Sequence, residues 1–322
     1  MDTYPYKRRF QIENDIRKMF SNLQSYHLRI EDGKTKIFNM NLVPEFMSRH
    51  IYAKVEDYDY TECDNITDYF SEKERVKCKR KGDIKSSHEF WMANKKLVQD
   101  KSHKDYKSKN PFYLRETLFG LKYECTSFKP SLAVGFIKNF KVTNVLDISS
   151  GWGDRLIGAM AAGVGYTGVD PNANLFPFYE EMIEFFKPAN KPRMINSPFE
   201  TVEGLTQEYD MVFTSPPYFD LELYPGDGQS YMKEDGTMKT VDEWYSSFLI
   251  PSLEKAWGLL KPNGYMIINI NDVKGETPYV RNMIVDISKF TDCSYRGCVP
   301  QWSGKKNKSA QPFWIFEKIK NI

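Results

Sequence analysis

From about residue 111 to the C-terminus, short β-branched or aromatic runs alternate with helix-length amphipathic segments. Few folds accommodate that alternation. Runs at 145–148, 166–170, 194–196, 209–213 and 265–270 read as buried strands. Between them, 154–162 and 175–186 carry helical apolar spacing. A longer helix opens on the capping box Thr240-Val241-Asp242-Glu243, runs to Leu260 and is stopped by Pro262-Asn263-Gly264. Five strands joined by crossovers predict a parallel sheet with right-handed connections. A helix near 278–289 follows, then two more strand-like runs near 294–299 and 312–319, which suit an antiparallel edge. The expected class is α/β, a mostly parallel seven-stranded sheet with helices on both faces.

Before residue 111 the pattern differs. Phe10, Ile12, Ile16, Met19, Phe20 and Leu23 fall on one helix face. Aromatic and acidic residues then mix around Tyr52, Tyr58, Tyr60 and Tyr69. Between 73 and 109 stand thirteen basic side chains and five acidic ones, although the whole chain carries a net charge of only +2. Phe90 and Trp91 lie inside that basic stretch. The segregation suits contact with a phosphate backbone plus an aromatic for stacking, against the plainer reading of a solvated face. Asn110-Pro111 marks the boundary. We therefore expect an α-rich, nucleic-acid-contacting extension over 1–110 and the α/β domain over 111–322.

The five cysteines, Cys63, Cys78, Cys125, Cys293 and Cys298, are odd in number and include no C-x-x-C pair. They suit neither a disulfide framework nor a structural zinc site, and read as free thiols in a reducing compartment. No metal is expected. The N-terminus is polar and charged, and no apolar run approaches membrane-spanning length. An intracellular, cytoplasmic protein is expected.

Chemistry concentrates at the ends of the predicted strands. Thr214-Ser215-Pro216-Pro217-Tyr218-Phe219 follows the strand at 209–213, and its prolines end the sheet ladder in a rigid corner. The corner offers the Ser215 hydroxyl, main-chain carbonyls and the face of Tyr218. Those groups suit a planar exocyclic amine. Asp147-Ile148-Ser149-Ser150-Gly151-Trp152-Gly153 lies between the first strand and its helix, where glycines let a ligand approach the backbone. Asp170 ends the second strand, where an acid can accept hydrogen bonds from ribose hydroxyls. The glycines do not follow G-x-G-x-x-G and no Walker lysine is present, which disfavours dinucleotide and ATP sites.

In this order the motifs resemble the S-adenosylmethionine-dependent amino-methyltransferases, whose best-known members act on adenine N6 and cytosine N4 of DNA. Leu260-Lys261-Pro262-Asn263-Gly264 is similar to a turn common in Rossmann-like class I methyltransferases. The resemblance spans about 127–318 and implies that fold with S-adenosylmethionine as cofactor. It implies that Gly151 and Gly153 border the methionine part, with Asp147 beneath and Ser149 in the place of a common phenylalanine. It implies Asp170 on the ribose, Glu200 near the adenine, and Phe128, Lys129 and Pro130 at the methionine end. Ser215, Pro216, Pro217 and Tyr218 then form the catalytic corner, with Tyr218 or Phe219 stacking on the base. The substrate implied is a nucleic-acid base, DNA before RNA. The alternatives are a protein glutamine amide, an RNA guanine N2 and a silent binding module. The stretch 220–239, polar and glycine-rich, reads as a loop over the cleft or a disordered excursion.

Overall fold

The computed structural model describes residues 3–28, 31–32, 51–52, 62–105, 110–205, 209–226, 228–303 and 309–319. The central sheet has seven strands: β1 (Asn144–Asp147), β2 (Gly165–Asp170), β3 (Arg193–Asn196), β4 (Tyr209–Thr214), β5 (Leu260–Asn269), β6 (Cys293–Ser303) and β7 (Ser309–Lys318). In space they run β6-β7-β5-β4-β1-β2-β3. The strands β1 to β5 pair in parallel, and β7 is antiparallel to both its neighbours. Strand order reverses between β1 and β4, which opens a crevice at their carboxyl ends. This is the mostly parallel seven-stranded α/β sheet expected from the sequence. Its last two strands pair as the expected antiparallel edge, with β6 outermost and β7 between β5 and β6; Phe313 and Ile315 are buried on one face of β7 and Trp314 and Phe316 on the other.

The helices are α1 (Glu13–Ser25), α2 (Asp68–Arg75), α3 (Ser87–Asp105), α4 (Pro111–Leu121), α5 (Pro130–Asn139), α6 (Asp154–Ala162), α7 (Phe176–Phe186), α8 (Val241–Trp244), α9 (Ile250–Gly258) and α10 (Val280–Ile287). One face of the sheet, including Val145, Met211 and Phe213, packs against α1, α2, α5, α6 and α7. The other, including Leu146, Val212 and Ile268, packs against α8, α9 and α10. Met211, Val212 and Phe213 thus alternate faces, as a strand buried on both sides requires.

The capping box forms: the Thr240 hydroxyl accepts the Glu243 N–H at 3.2 Å, and the Glu243 carboxylate accepts the Thr240 N–H at 2.7 Å. The helix it opens is π-helical over Tyr245–Leu249 before continuing as α9. Pro251 accounts for the widened turn, because it has no N–H for the carbonyl four residues back. Strand β5 begins at Leu260, earlier than the spacing predicts. Leu260 pairs with Tyr209 before a register shift lets the chain pass Pro262-Asn263-Gly264.

The extension shares a core with the sheet. Ile16, Phe20 and Leu23 of α1, with Ile66, Tyr69 and Phe70, belong to the same apolar cluster as Ala133, Leu156 and Ile157. Ile12 precedes α1 and is exposed. Asn110 caps α4, its side chain accepting the Phe112 N–H at 3.0 Å. A buried ionic knot ties the pieces together. Arg75 reaches Asp68 at 2.7 Å and Glu124 at 2.9 Å, and Arg115 reaches Glu72 at 2.8 Å and Glu124 at 2.6 Å. Glu124 also accepts from the Ser87 hydroxyl at 2.9 Å and the Tyr4 hydroxyl at 3.1 Å.

Two expectations are corrected. Cys78 and Cys125 are not free thiols but form a disulfide, their Cα atoms 6.1 Å apart across a separation of 47 residues. Only tertiary folding brings them together, so their spacing carries no sign of the pair. The basic stretch is also less available than its composition suggests. Arg75 is consumed in the knot, and Trp91 is fully buried and cannot stack on a base. Lys77 pairs with Glu74 at 2.7 Å, Lys79 with Glu89 at 3.4 Å, and Lys81 with Asp220 at 2.8 Å and with Glu276. Lys73, Arg80, Lys85, Lys96 and Lys101 are exposed. The side chains of Lys104, Lys107, Lys109, Tyr52, Tyr58 and Tyr60 lie outside the described residues.

Candidate active site

A cavity of ≈ 390 Å³ opens at the carboxyl ends of β1, β2, β4 and β5. It is walled by the glycine turn, by Asp170 to Asn172, by Pro198 to Glu200 and by the corner from Ser215 to Tyr218.

The glycine turn needs its glycines. Gly151 has φ +57° and Gly153 has φ +95°, and a Cβ on Gly153 would lie 2.8 Å from the Met182 sulfur. The Gly151 N–H donates to Asp170 at 2.8 Å, and the other oxygen of Asp170 accepts the Asn172 N–H at 2.9 Å. Burial pushes the pKa of Asp170 up to about 6, against these two N–H groups, which favour the carboxylate. Ser149 and Gly151 line the cavity, whereas Gly153 lies one step behind them as the residue before α6.

Asp147 is fully buried beneath the turn. Its carboxylate accepts from Arg155 at 2.7 Å, from the Tyr166 hydroxyl at 2.7 Å and from the Ser149 N–H at 3.2 Å. Arg155 donates in turn to the Ser149 carbonyl and lies 5.0 Å from the centre of the Phe128 ring. Asp147 therefore shapes the turn through Arg155, which belongs to none of the motifs. Lys129 lines the cavity, and burial lowers its pKa. Trp152 is buried, its indole N–H donating to the Thr126 carbonyl at 3.2 Å and its ring lying edge-on to Tyr224. Asp154 also lines the cavity, and burial pushes its pKa up to about 7. One oxygen of Glu200, Oε2, is buried without a hydrogen-bond partner.

At the corner, Ser215, Pro216, Pro217 and Tyr218 all line the cavity. Burial raises the pKa of the Tyr218 phenol, so it stays protonated at neutral pH. Phe219 does not share this wall. It has φ +49°, is buried and packs against Trp244 at 5.8 Å, so the stacking role open to either aromatic falls to Tyr218.

The stretch after the corner supplies the cavity's outer wall through Leu221, Glu222, Tyr224 and 228–230. Glu222–Leu223 pairs antiparallel with Lys79–Arg80 of the extension. The Glu222 carboxylate accepts the Thr126 N–H at 2.8 Å and the Tyr224 hydroxyl at 3.0 Å. It also lies close to the Cys78–Cys125 bridge. Asn269, at the end of β5, and Gln311, in β7, complete the floor beside Tyr218. Neither belongs to a motif. The only signal for Asn269 was a polar residue ending an otherwise apolar strand.

No family model matches the chain, and no curated protein does. Solved structures do resemble it. TrmN from Thermus thermophilus is 17% identical over 60% of this chain and 50% of that one, with a TM-score of 0.41. The M. jannaschii tRNA m1G37 methyltransferase is 16% identical over 61% and 52%, with a TM-score of 0.39. An rRNA methylase from Streptococcus thermophilus is 11% identical over 61% of this chain and 100% of that one, with a TM-score of 0.41. The chain thus matches about half the length of the first two. Among the described residues, no helix is long and apolar enough to cross a membrane.

Proposed function

We propose that this chain is an S-adenosylmethionine-dependent methyltransferase acting on the exocyclic amine of a nucleic-acid base. The observation that carries the reading is the single cavity lined by both the glycine turn with Asp170 and the Ser215-Pro216-Pro217-Tyr218 corner. A methyl donor on one side and an acceptor amine on the other would share it.

Features of the cavity fit the cofactor. Each Asp170 oxygen accepts one N–H and keeps a second lone pair for a ribose hydroxyl. The orphaned Glu200 oxygen is an acceptor in want of a donor, which an adenine amine supplies. Gly151 leaves the backbone open to close approach, and Lys129 offers a cation to the methionine carboxylate. When bound, the cofactor supplies an electrophilic methyl group on a sulfonium centre.

The remaining work belongs to the chain. An aromatic amine is a poor nucleophile because its lone pair is delocalised into the ring. Ser215 and the Pro216 carbonyl accept its hydrogens and favour a tetrahedral nitrogen, while Tyr218 stacks on the ring and holds it in line. A base within a duplex must be flipped to enter. Arg80 is exposed one strand away from the cavity-lining Glu222, well placed for a phosphate.

The test is transfer of labelled methyl to DNA, RNA and total protein in parallel, followed by digestion to nucleosides. Label in N6-methyladenosine or N4-methylcytidine, deoxy or ribo, supports the reading and names the polymer. Label confined to protein moves it to the glutamine amide. Ser215→Ala and Tyr218→Ala should each reduce turnover at least tenfold, roughly 1.4 kcal/mol, and leave cofactor binding intact.

A further inference from the structure

Asn269 stands at the carboxyl end of β5, almost wholly buried, and no sequence motif marks it. Its side-chain amide is held by β7. The Nδ2 group donates to the Pro312 backbone carbonyl at 2.9 Å. A carbonyl can only accept, so the orientation of the amide is set and Oδ1 must face the other way. Two hydroxyls meet that oxygen. Tyr218 donates to it at 3.1 Å and Ser215 at 3.4 Å.

A hydroxyl has one hydrogen. Once the Ser215 hydrogen is directed to Asn269, the cavity side of Oγ holds lone pairs only. A group that donates an N–H is welcomed there, and a carbonyl oxygen or unprotonated ring nitrogen is repelled. The Tyr218 hydroxyl is held in the same way, with the Gln311 side-chain oxygen a further 3.3 Å neighbour, which anchors the phenol end of the ring.

We propose that Asn269 is a positioning residue that turns the Ser215 and Tyr218 hydroxyl hydrogens away from the cavity, so that the corner accepts hydrogen bonds and selects an amine as substrate. This rests on the methyl-transfer reading above and deepens it. It also gives the buried antiparallel strand a function. Phe313 of β7 is registered opposite Asn269, which brings the Pro312 carbonyl to the amide.

The test is a double-mutant cycle on the full chain, with kcat for labelled methyl transfer and, separately, cofactor Kd by calorimetry. Asn269→Ala should lower kcat about tenfold with cofactor Kd unchanged within twofold. In a Ser215→Ala background, adding Asn269→Ala should lower kcat by a clearly smaller factor than it does in the unaltered chain, because one of the two hydroxyls it positions is already gone. Asn269→Asp keeps the size but sets a carboxylate oxygen against the Pro312 carbonyl in place of the donated bond, so its kcat should also fall below that of the wild-type chain. Losses that multiply overturn the inference alone, since they make Asn269 independent of Ser215. So does a fall in cofactor affinity that matches the fall in kcat. If the unaltered chain binds cofactor but methylates no amine, the methyl-transfer reading fails and takes the inference with it.

Discussion

Cofactor affinity should fall on acidification, and Asp170 sets the midpoint. Its carboxyl is buried and titrates at about 6 in the free protein. With the ribose placed on Asp170 as proposed, binding favours the ionised form, because protonation turns one oxygen into a donor and weakens both as acceptors. The sign follows from the raised pKa. Above pH 6 the binding-competent form dominates, and below it the carboxyl takes a proton that the cofactor must displace. If only the ionised form binds, the apparent Kd rises by a factor of about 11 at pH 5 and about 1.1 at pH 7, a loss of roughly 1.4 kcal/mol across that interval. Calorimetric titration of S-adenosylmethionine between pH 5 and 7 reads this directly, with circular dichroism to show that the chain stays folded. Asp170→Asn should bind more weakly at every pH and show a shallower profile, since Asp154, which also lines the cavity, still titrates. A wild-type Kd that is flat over this range, or that tightens on acidification, would refute the placement of the ribose on Asp170.

Other outcomes follow from the fold. Glu124→Ala removes the carboxylate shared by Arg75 and Arg115 and should cost about 3–5 kcal/mol in urea unfolding, with a loss under about 1 kcal/mol counting against a buried knot. Reduction of Cys78–Cys125 opens a loop across 47 residues, so the urea midpoint should drop in dithiothreitol by the equivalent of up to about 4 kcal/mol; equal midpoints with and without reductant would show that the bridge contributes nothing. Gly168→Ala should destabilise by about 1–3 kcal/mol, because the added Cβ falls 2.6 Å from Tyr166 and 2.7 Å from Met194 and also strikes Ser150. Thermal melting is the check, and an unchanged melting temperature would mean that β2 has slack beside the glycine turn.

The centre of the sheet was legible because β1, β2 and β4 are short, largely buried and bounded by turn residues, so Met211, Val212 and Phe213 could belong to little else. The ends of those strands were legible too, since a proline pair and paired glycines have few uses in such places. What escaped were relations that exist only in three dimensions. Arg155 reads as an ordinary helical arginine until Asp147 is found beneath it. Asn269 and Gln311 lie 42 residues apart and meet only because β7 pairs with β5. The basic stretch shows the same limit. Glu74, Glu89, Asp220 and Glu276 come from several elements to pair Lys77, Lys79 and Lys81, whereas Lys73, Arg80, Lys85, Lys96 and Lys101 stay exposed.

The apolar cluster joining α1 and α2 to α5 and α6 bears on how such a chain can diversify. A recombination breakpoint at residue 110 would strip Ile16, Phe20 and Phe70 from the surfaces of Ala133 and Ile157. Exchange of the first third for a foreign segment would have to reproduce those inner contacts before it could confer anything new. Change in the extension is therefore reached more readily by substitution at exposed positions such as Arg80, Lys85 and Lys96 than by trading whole modules.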